Sequence, residues 1–277
     1  MADKYSTIIN AVDLISTTSP AFIFDCRSSL ADNEYGKNSF TEGHIPGAQF
    51  ADLNRQLSGP IIPGKTGRHP LPSQESFLEQ VRAWGVSNES QVIVYDDNHG
   101  AFAARLWWMF RWLGHESVAV LNGGIEEWIN SGMSLSTESP TATKSSFQQV
   151  PALTKSVTAD DVLDQPGILV DARDAARFRG EVEPIDAVAG HIPGAGCLPF
   201  AGNLVDNKLK TAADLKQRFT DAGIDSGTPV TCYCGSGVTA AHNILALIHA
   251  GFAEPTLYSG SWSEWITDPD RPVATGE

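Results

Sequence analysis

Gly43-His44-Ile45-Pro46-Gly47-Ala48 reappears as Gly190-His191-Ile192-Pro193-Gly194-Ala195, 147 residues further along the chain. Upstream of each copy an apolar run ends in an acid, with an arginine two residues on. These runs are Phe22-Ile23-Phe24-Asp25 with Arg27, and Ile168-Leu169-Val170-Asp171 with Arg173. Downstream, Gly100-Ala101-Phe102-Ala103-Ala104 parallels Gly237-Val238-Thr239-Ala240-Ala241 at a shift of 137. The same shift carries Gly123 onto Gly260, Glu127 onto Glu264 and Trp128 onto Trp265. A chain that repeats itself at this length is two copies of one structural unit. Between them, Ser134 to Lys155 is rich in Ser, Thr and Pro and has neither a helical nor a strand period, so it reads as a linker. The expected division is a first domain over 1–136, a linker over 137–155 and a second domain over 156–277.

Within each half, short β-branched runs alternate with amphipathic stretches. Strands are expected at 21–25, 91–95 and 118–121, then at 168–171, 229–233 and 256–258. Helices are expected near 75–84, 101–113 and 124–131, then near 211–222, 239–250 and 261–266. Such alternation builds an α/β fold, a mainly parallel sheet flanked by helices in each half, with functional loops at the carboxyl ends of the strands.

One such end carries Cys234-Gly235-Ser236-Gly237-Val238-Thr239. A strand that breaks into a glycine-rich turn and then a helix aims a row of backbone N–H groups at one point, which makes an anion cradle. A cysteine at its head is favoured as the thiolate by the helix N-terminus and the loop amides, and so is a candidate nucleophile. The repeat supplies a control. Aligning Gly100 with Gly237 puts Asp97 at the cysteine position, Asn98 at Gly235 and His99 at Ser236, so the first half is expected to be non-catalytic. His44 and His191 recur in both halves, including the one without a thiol, and a shared structural role is expected for them. Asp25 with Arg27 and Asp171 with Arg173 read the same way, as internal ion pairs. Cys26, Cys197 and Cys232 read as packing residues.

Bulk composition narrows the partners. Nineteen Lys and Arg stand against thirty-three Asp and Glu, a net charge of −14 over 277 residues, which argues against nucleic acid or an anionic membrane surface as a partner. An anionic substrate then needs a local cationic anchor. Met1 to Ile15 lacks the basic patch and unbroken apolar core of a signal peptide, and the four cysteines have no framework spacing, so the cytoplasm is expected. A phosphatase loop of the kind built on such a fold needs an arginine six residues after its cysteine to clamp phosphate; Ala240 stands there.

Both His-Ile-Pro-Gly-Ala boxes, Arg105 with Trp107-Trp108-Met109, Arg177-Phe178, Cys234 to Thr239, and Gly260-Ser261-Trp262-Ser263-Glu264-Trp265 occur in order over essentially the full length. Together they resemble the tandem-domain rhodanese family, the thiosulfate and 3-mercaptopyruvate sulfurtransferases. The resemblance implies two rhodanese-like α/β domains with the active site in the second, and no metal or organic cofactor. It implies double displacement: Cys234 takes sulfur from a small anionic donor as a persulfide and passes it to an acceptor thiol, to cyanide or to a thioredoxin-like protein. Backbone N–H groups of Gly235, Ser236, Gly237, Val238 and Thr239 would cradle the persulfide.

Thiosulfate-using members tend to carry basic residues inside the loop; here Gly235 and Ser236 are uncharged, and the resemblance favours 3-mercaptopyruvate. In that subfamily the loop serine, here Ser236, pairs with a histidine matched by His69 and an acid whose position falls on Asn54, with Asp52 two residues away. Arg177 matches the arginine that holds the donor's anionic end, and Arg179 is a second candidate contact. The subfamily's other carboxylate-binding arginine falls on Ile185, a departure that points back towards thiosulfate. A persulfide carrier that does not turn over would use the same Cys234 and stays open as an alternative.

Overall fold

The structure is a computed structural model describing residues 4–16 and 21–277, so the first three residues of the stretch read against a signal peptide lie outside the described residues. The chain divides into two units. One comprises Met1–Gly59 with Pro72–Leu153, the other Pro60–Leu71 with Thr154–Glu277.

In the first unit β1 (Ile8–Ile9), β2 (Ala21–Asp25), β3 (Gln49–Phe50), β4 (Gln91–Tyr95) and β5 (Val118–Leu121) form one sheet in the order β1-β5-β4-β2-β3. Every pairing is parallel. The helices α1 (Ala11–Ser16), α2 (Tyr35–Glu42), α3 (Gln74–Ala83), α4 (Ala103–Trp112) and α5 (Gly124–Asn130) alternate with the strands along the chain. The central strand β4 is apolar on both faces, as a sheet covered on both sides requires: Val92, Ile93, Val94 and Tyr95 are fully buried.

The second unit repeats the plan. Its strands β6 (Lys155–Val157), β7 (Ile168–Asp171), β8 (Ala195–Cys197), β11 (Val230–Tyr233) and β12 (Thr256–Tyr258) form a parallel sheet in the order β6-β12-β11-β7-β8. A two-stranded antiparallel ribbon, β9 (Leu204–Val205) with β10 (Lys208–Leu209), stands apart. The helices are α6 (Ala175–Phe178), α7 (Ala212–Asp221), α8 (Ala240–His249) and α9 (Ser261–Trp265). Replacing each strand by its repeat partner turns one strand order into the other.

The repeated boxes explain themselves in this frame. Arg27 grips Asp25 with Nε and Nη2 at 3.0 and 2.6 Å, and Nη2 also donates to the Gly43 carbonyl at 2.6 Å. Arg173 does the same with Asp171 and the Gly190 carbonyl, at 2.6 and 2.7 Å through Nη2. Each box thus starts on a glycine carbonyl tied to the strand-end ion pair. His44 stacks on Phe40 and donates Nδ1–H to its carbonyl at 2.8 Å, while His191 stacks on Phe178 and bonds its carbonyl at the same distance. Both histidines are clasps within their own units, as their recurrence predicts.

The stretch expected to be a free linker is packed instead. Residues 137–153 belong to the first unit, with Phe147 fully buried against His115 at a ring separation of 5.6 Å. Arg82 donates Nε–H to the Phe147 carbonyl, and Leu153 N–H bonds the Arg111 carbonyl. The Ser, Thr and Pro content prevents helix and strand without preventing docking. The second difference is Pro60–Leu71, which lies within the first half of the sequence yet is part of the second unit.

Candidate active site

The turn after β11 is built around Cys234, which is 2% exposed. Gly237 N–H donates to Cys234 Sγ at 3.2 Å. Gly237 has φ +74°, and a Cβ there would lie 2.1 Å from the Ser259 carbonyl oxygen, so only glycine lets this amide turn onto the sulfur. The first turn of α9 fixes the other end: Trp262 and Ser263 N–H groups donate to the Cys234 and Gly235 carbonyls, each at 2.9 Å. Ser261 accepts the Cys234 N–H on Oγ at 3.0 Å, and that hydroxyl sits 4.0 Å from Sγ. Ser261 is fully buried at φ +56°, a conformation costly for a residue with a Cβ, directly beside the sulfur. Nothing in the sequence pattern singles it out, because its repeat partner is the unremarked Gly124.

The same turn in the first unit shows how such a loop holds an anion. Tyr95 pairs with Asp25 across the sheet as Tyr233 pairs with Asp171, so Asp96 follows the strand where Cys234 does. Ile125 N–H bonds the Asp96 carbonyl as Trp262 N–H bonds that of Cys234. Asp96, one residue before the expected Asp97, therefore occupies the cysteine position. The first-half turn is one residue longer before its helix, and the shift of 137 read from the downstream glycine changes to 138 upstream of it. The Asp96 carboxylate fills its own cradle: Oδ1 accepts from Asn98 and Gly100 N–H at 2.9 and 2.8 Å, Oδ2 from Phe102 and Ala103 N–H at 2.8 Å each. Burial pushes this carboxyl up from its ordinary range, and the four N–H bonds act against that rise. Asp97 instead accepts the Tyr35 hydroxyl at the surface.

Segment 60–71 brings two side chains to the Cys234 turn. His69 Nδ1 lies 2.8 Å from Ser236 Oγ, and both residues are buried. Arg68 N–H donates to Ser263 Oγ at 3.1 Å. Gly67 makes the approach possible: a Cβ there would sit 2.6 Å from both the Gly260 carbonyl oxygen and Ser263 Oγ. Gly67→Ala is therefore expected to lift the segment and lower kcat/KM at least about tenfold, at a stability cost of about 1–3 kcal/mol. Steady-state assays beside thermal melts check this; full activity would show that the segment need not touch α9.

Arg177, on α6, reaches the same place. The guanidinium nitrogens nearest a Cβ built on Gly235 are Arg68 Nη2 at 3.0 Å and Arg177 Nη1 and Nη2 at 3.6 Å. Arg177 is held by Glu183 through Nε and Nη2 at 3.1 and 2.8 Å, and by Asp186 at 3.1 Å. Arg68 pairs with the other oxygen of Asp186. Arg68 was missed in the sequence because it is one arginine in an irregular stretch; only its neighbour His69 carried a signal.

Other candidates are placed elsewhere. Arg179 gives Nε and Nη2 to Glu181 at 2.7 and 2.9 Å, an exposed pair at the end of α6. In the first unit, Asp52 accepts the N–H groups of Asn54 and Arg55 at 2.9 and 3.0 Å, and Asn54 Nδ2 donates to Asn33 at 3.2 Å. Cys232 is fully buried, and burial, then negative charge on Cys234, push its thiol well above the ordinary range, which suits a core residue. Cys197 is pushed up to about 11, again by burial.

A profile of the rhodanese-like domain matches the chain twice, over residues 7–131 and 156–268. The chain belongs to the rhodanese family. A protein of Pseudomonas aeruginosa described as a probable 3-mercaptopyruvate sulfurtransferase is 50% identical to this rhodanese over 264 residues, covering 92% of each chain. A putative thiosulfate sulfurtransferase of Mycobacterium tuberculosis is 41% identical over an alignment of 288 positions, covering 100% of this chain and 99% of that one. Among solved structures, 3-mercaptopyruvate sulfurtransferase from Leishmania major matches with a TM-score of 0.83 at 32% identity, covering 96% of this chain and 75% of that one. The rhodanese fold expected from the sequence, two parallel five-stranded sheets flanked by helices, is the fold observed. No helix among the described residues is long and apolar enough to cross a membrane.

Proposed function

We propose that this rhodanese is a sulfurtransferase that takes sulfane sulfur from 3-mercaptopyruvate through a persulfide on Cys234. The Cys234 thiolate attacks the donor sulfur, the carbon–sulfur bond breaks, and its electron pair leaves on the methylene carbon as the enolate of pyruvate. That enolate needs a proton, whereas the sulfite expelled from thiosulfate is stable as it leaves. The observation that carries the reading is the Ser236 Oγ to His69 Nδ1 contact at 2.8 Å, a hydroxyl and an imidazole paired on the turn that carries Cys234 and able to pass a proton. The persulfide charge falls on the cradle headed by the Gly237 N–H, as an oxyanion does in acyl transfer. An acceptor thiol or cyanide, or a thioredoxin-like protein thiol in the cytoplasm, then removes the sulfur and restores Cys234.

Thiosulfate is the second reading, favoured by two guanidinium groups near the loop that suit a dianion. Side-by-side kcat/KM values decide between them. A preference for 3-mercaptopyruvate is expected, and a preference for thiosulfate would overturn the donor assignment. Ping-pong kinetics are expected with either donor. A protein that loads once and stalls with small acceptors would be a carrier instead. Arg177→Ala is expected to raise the donor KM about ten- to a hundredfold, the loss of a charge-assisted pair worth about 1.5–3 kcal/mol. An unchanged KM would place the anion elsewhere.

A further inference from the structure

The anion site beside Cys234 holds as many negative charges as positive ones. Arg68, Arg173 and Arg177 face Asp171, Glu183 and Asp186, all joined by ion pairs. A donor carboxylate brings one more negative charge, and the internal carboxylates compete with it for the same three arginines. The three acids are rooted very differently. Asp171 ends β7, is gripped by Arg173 through Nε and Nη2, and accepts the backbone N–H of Arg173 at 2.9 Å. Glu183 accepts from both Arg173 and Arg177 and from the N–H groups of Ile185 and Asp186. The Asp186 carboxylate has only its two arginine bonds among the described residues, one oxygen on Arg68 and the other on Arg177. It also lies on residues 182–189, which contain neither helix nor strand.

Asp186 bridges the two guanidinium groups through Arg68 Nη1 and Arg177 Nη2. Asp186 spans two guanidinium groups whose Arg68 Nη2 and Arg177 Nη1 ends face Gly235, the residue next to the nucleophile. Both acids are nearly inaccessible, 4% exposed at the side chain, while Arg68 keeps 29%. Burial and the adjacent Arg177 charge pull the Arg68 pKa down.

We propose that Arg68 and Arg177 together bind the carboxylate of the sulfur donor, and that Asp186 occupies this site in the free enzyme and leaves it when the donor enters. The proposal rests on the sulfur-transfer reading for the identity of the donor, but not for the existence of the anion site. It predicts opposite effects from the two members of one ion pair. Arg68→Ala is expected to raise the KM for 3-mercaptopyruvate at least about tenfold, more than it lowers kcat. Arg68→Lys should recover part of the loss. Asp186→Asn should lower that KM severalfold, because the competitor for the arginines loses its charge. The carboxamide analogue of the donor, neutral where the donor is anionic, should respond to neither change.

Pyruvate supplies the readout that needs no turnover, as its carboxylate should protect Cys234 from alkylation. Protection is expected to weaken in Arg68→Ala and strengthen in Asp186→Asn. A pair that merely holds the fold would harm binding whichever member is changed. Asp186→Asn weakening pyruvate as Arg68→Ala does would therefore overturn the proposal. So would an Arg68→Ala protein that binds pyruvate as the wild type does. If 3-mercaptopyruvate fails to load sulfur on Cys234 while the pyruvate pattern holds, the donor reading fails and the anion site stands.

Discussion

Cys234→Ser is expected to stop sulfur transfer, with turnover falling at least about 10⁴-fold and no sulfur atom added to the protein's mass on incubation with donor. The change is small sterically, since the hydroxyl fits where Sγ accepts the Gly237 N–H, and the turn is held by backbone bonds from Trp262 and Ser263 that do not involve the side chain. Folding should therefore be intact, and far-ultraviolet circular dichroism with a thermal melt checks this. What is lost is the sulfur atom that would form the bond to the transferred sulfur. Residual turnover within tenfold of wild type would mean that sulfur is carried by another residue. Cys232, buried with its thiol held protonated, is a poor substitute.

Asp96→Ala is expected to cost the first unit about 3–5 kcal/mol, a large part of the stability of an ordinary domain. The side chain answers four N–H donors at 2.8 to 2.9 Å, three of them buried, and its removal takes away the acceptor they share. Asp96→Asn should cost less, because the amide oxygen still accepts while its NH₂ opposes the donors on the other side. Asp97→Ala, which removes only a surface contact with the Tyr35 hydroxyl, should cost about 1 kcal/mol or less. Urea titrations at constant m separate the three variants. Equal losses for Asp96 and Asp97, or a loss below about 1 kcal/mol for Asp96→Ala, would overturn the assignment of Asp96 to the cradle.

The parts of this fold that were legible are the parts with internal redundancy. The strands Ala21–Asp25, Gln91–Tyr95, Val118–Leu121 and Ile168–Asp171 fall where their apolar runs placed them, because a strand buried on both faces must be apolar throughout. The two- and three-residue strands at the sheet edges, such as Ile8–Ile9 and Gln49–Phe50, are too short for a period to register. The register slip between Asp96 and Asp97 arose because the repeat was aligned on a glycine downstream of a turn whose two copies differ by one residue. Cys234, Ser236, His69 and Arg177 were readable as residue types in a motif, and the structure gathers them. Arg68, Asp186 and Glu183 were not, since their meaning lies in pairings across more than a hundred residues for Arg68 and in an aperiodic loop for the acids. Ser261 was invisible for another reason: its signal is a backbone angle.

The excursion of Pro60–Leu71 into the second unit has a consequence for how this molecule can be divided. A duplicated sequence invites the idea that either copy could be cut away and used alone, with a single scission between Leu153 and Thr154. Such a cut would release a piece with Cys234 and Arg177 but without His69 and Arg68, which would stay on the other fragment. With this stretch lent across the repeat boundary, neither half of the sequence contains a whole unit. Part of the second unit is spelled in the first copy.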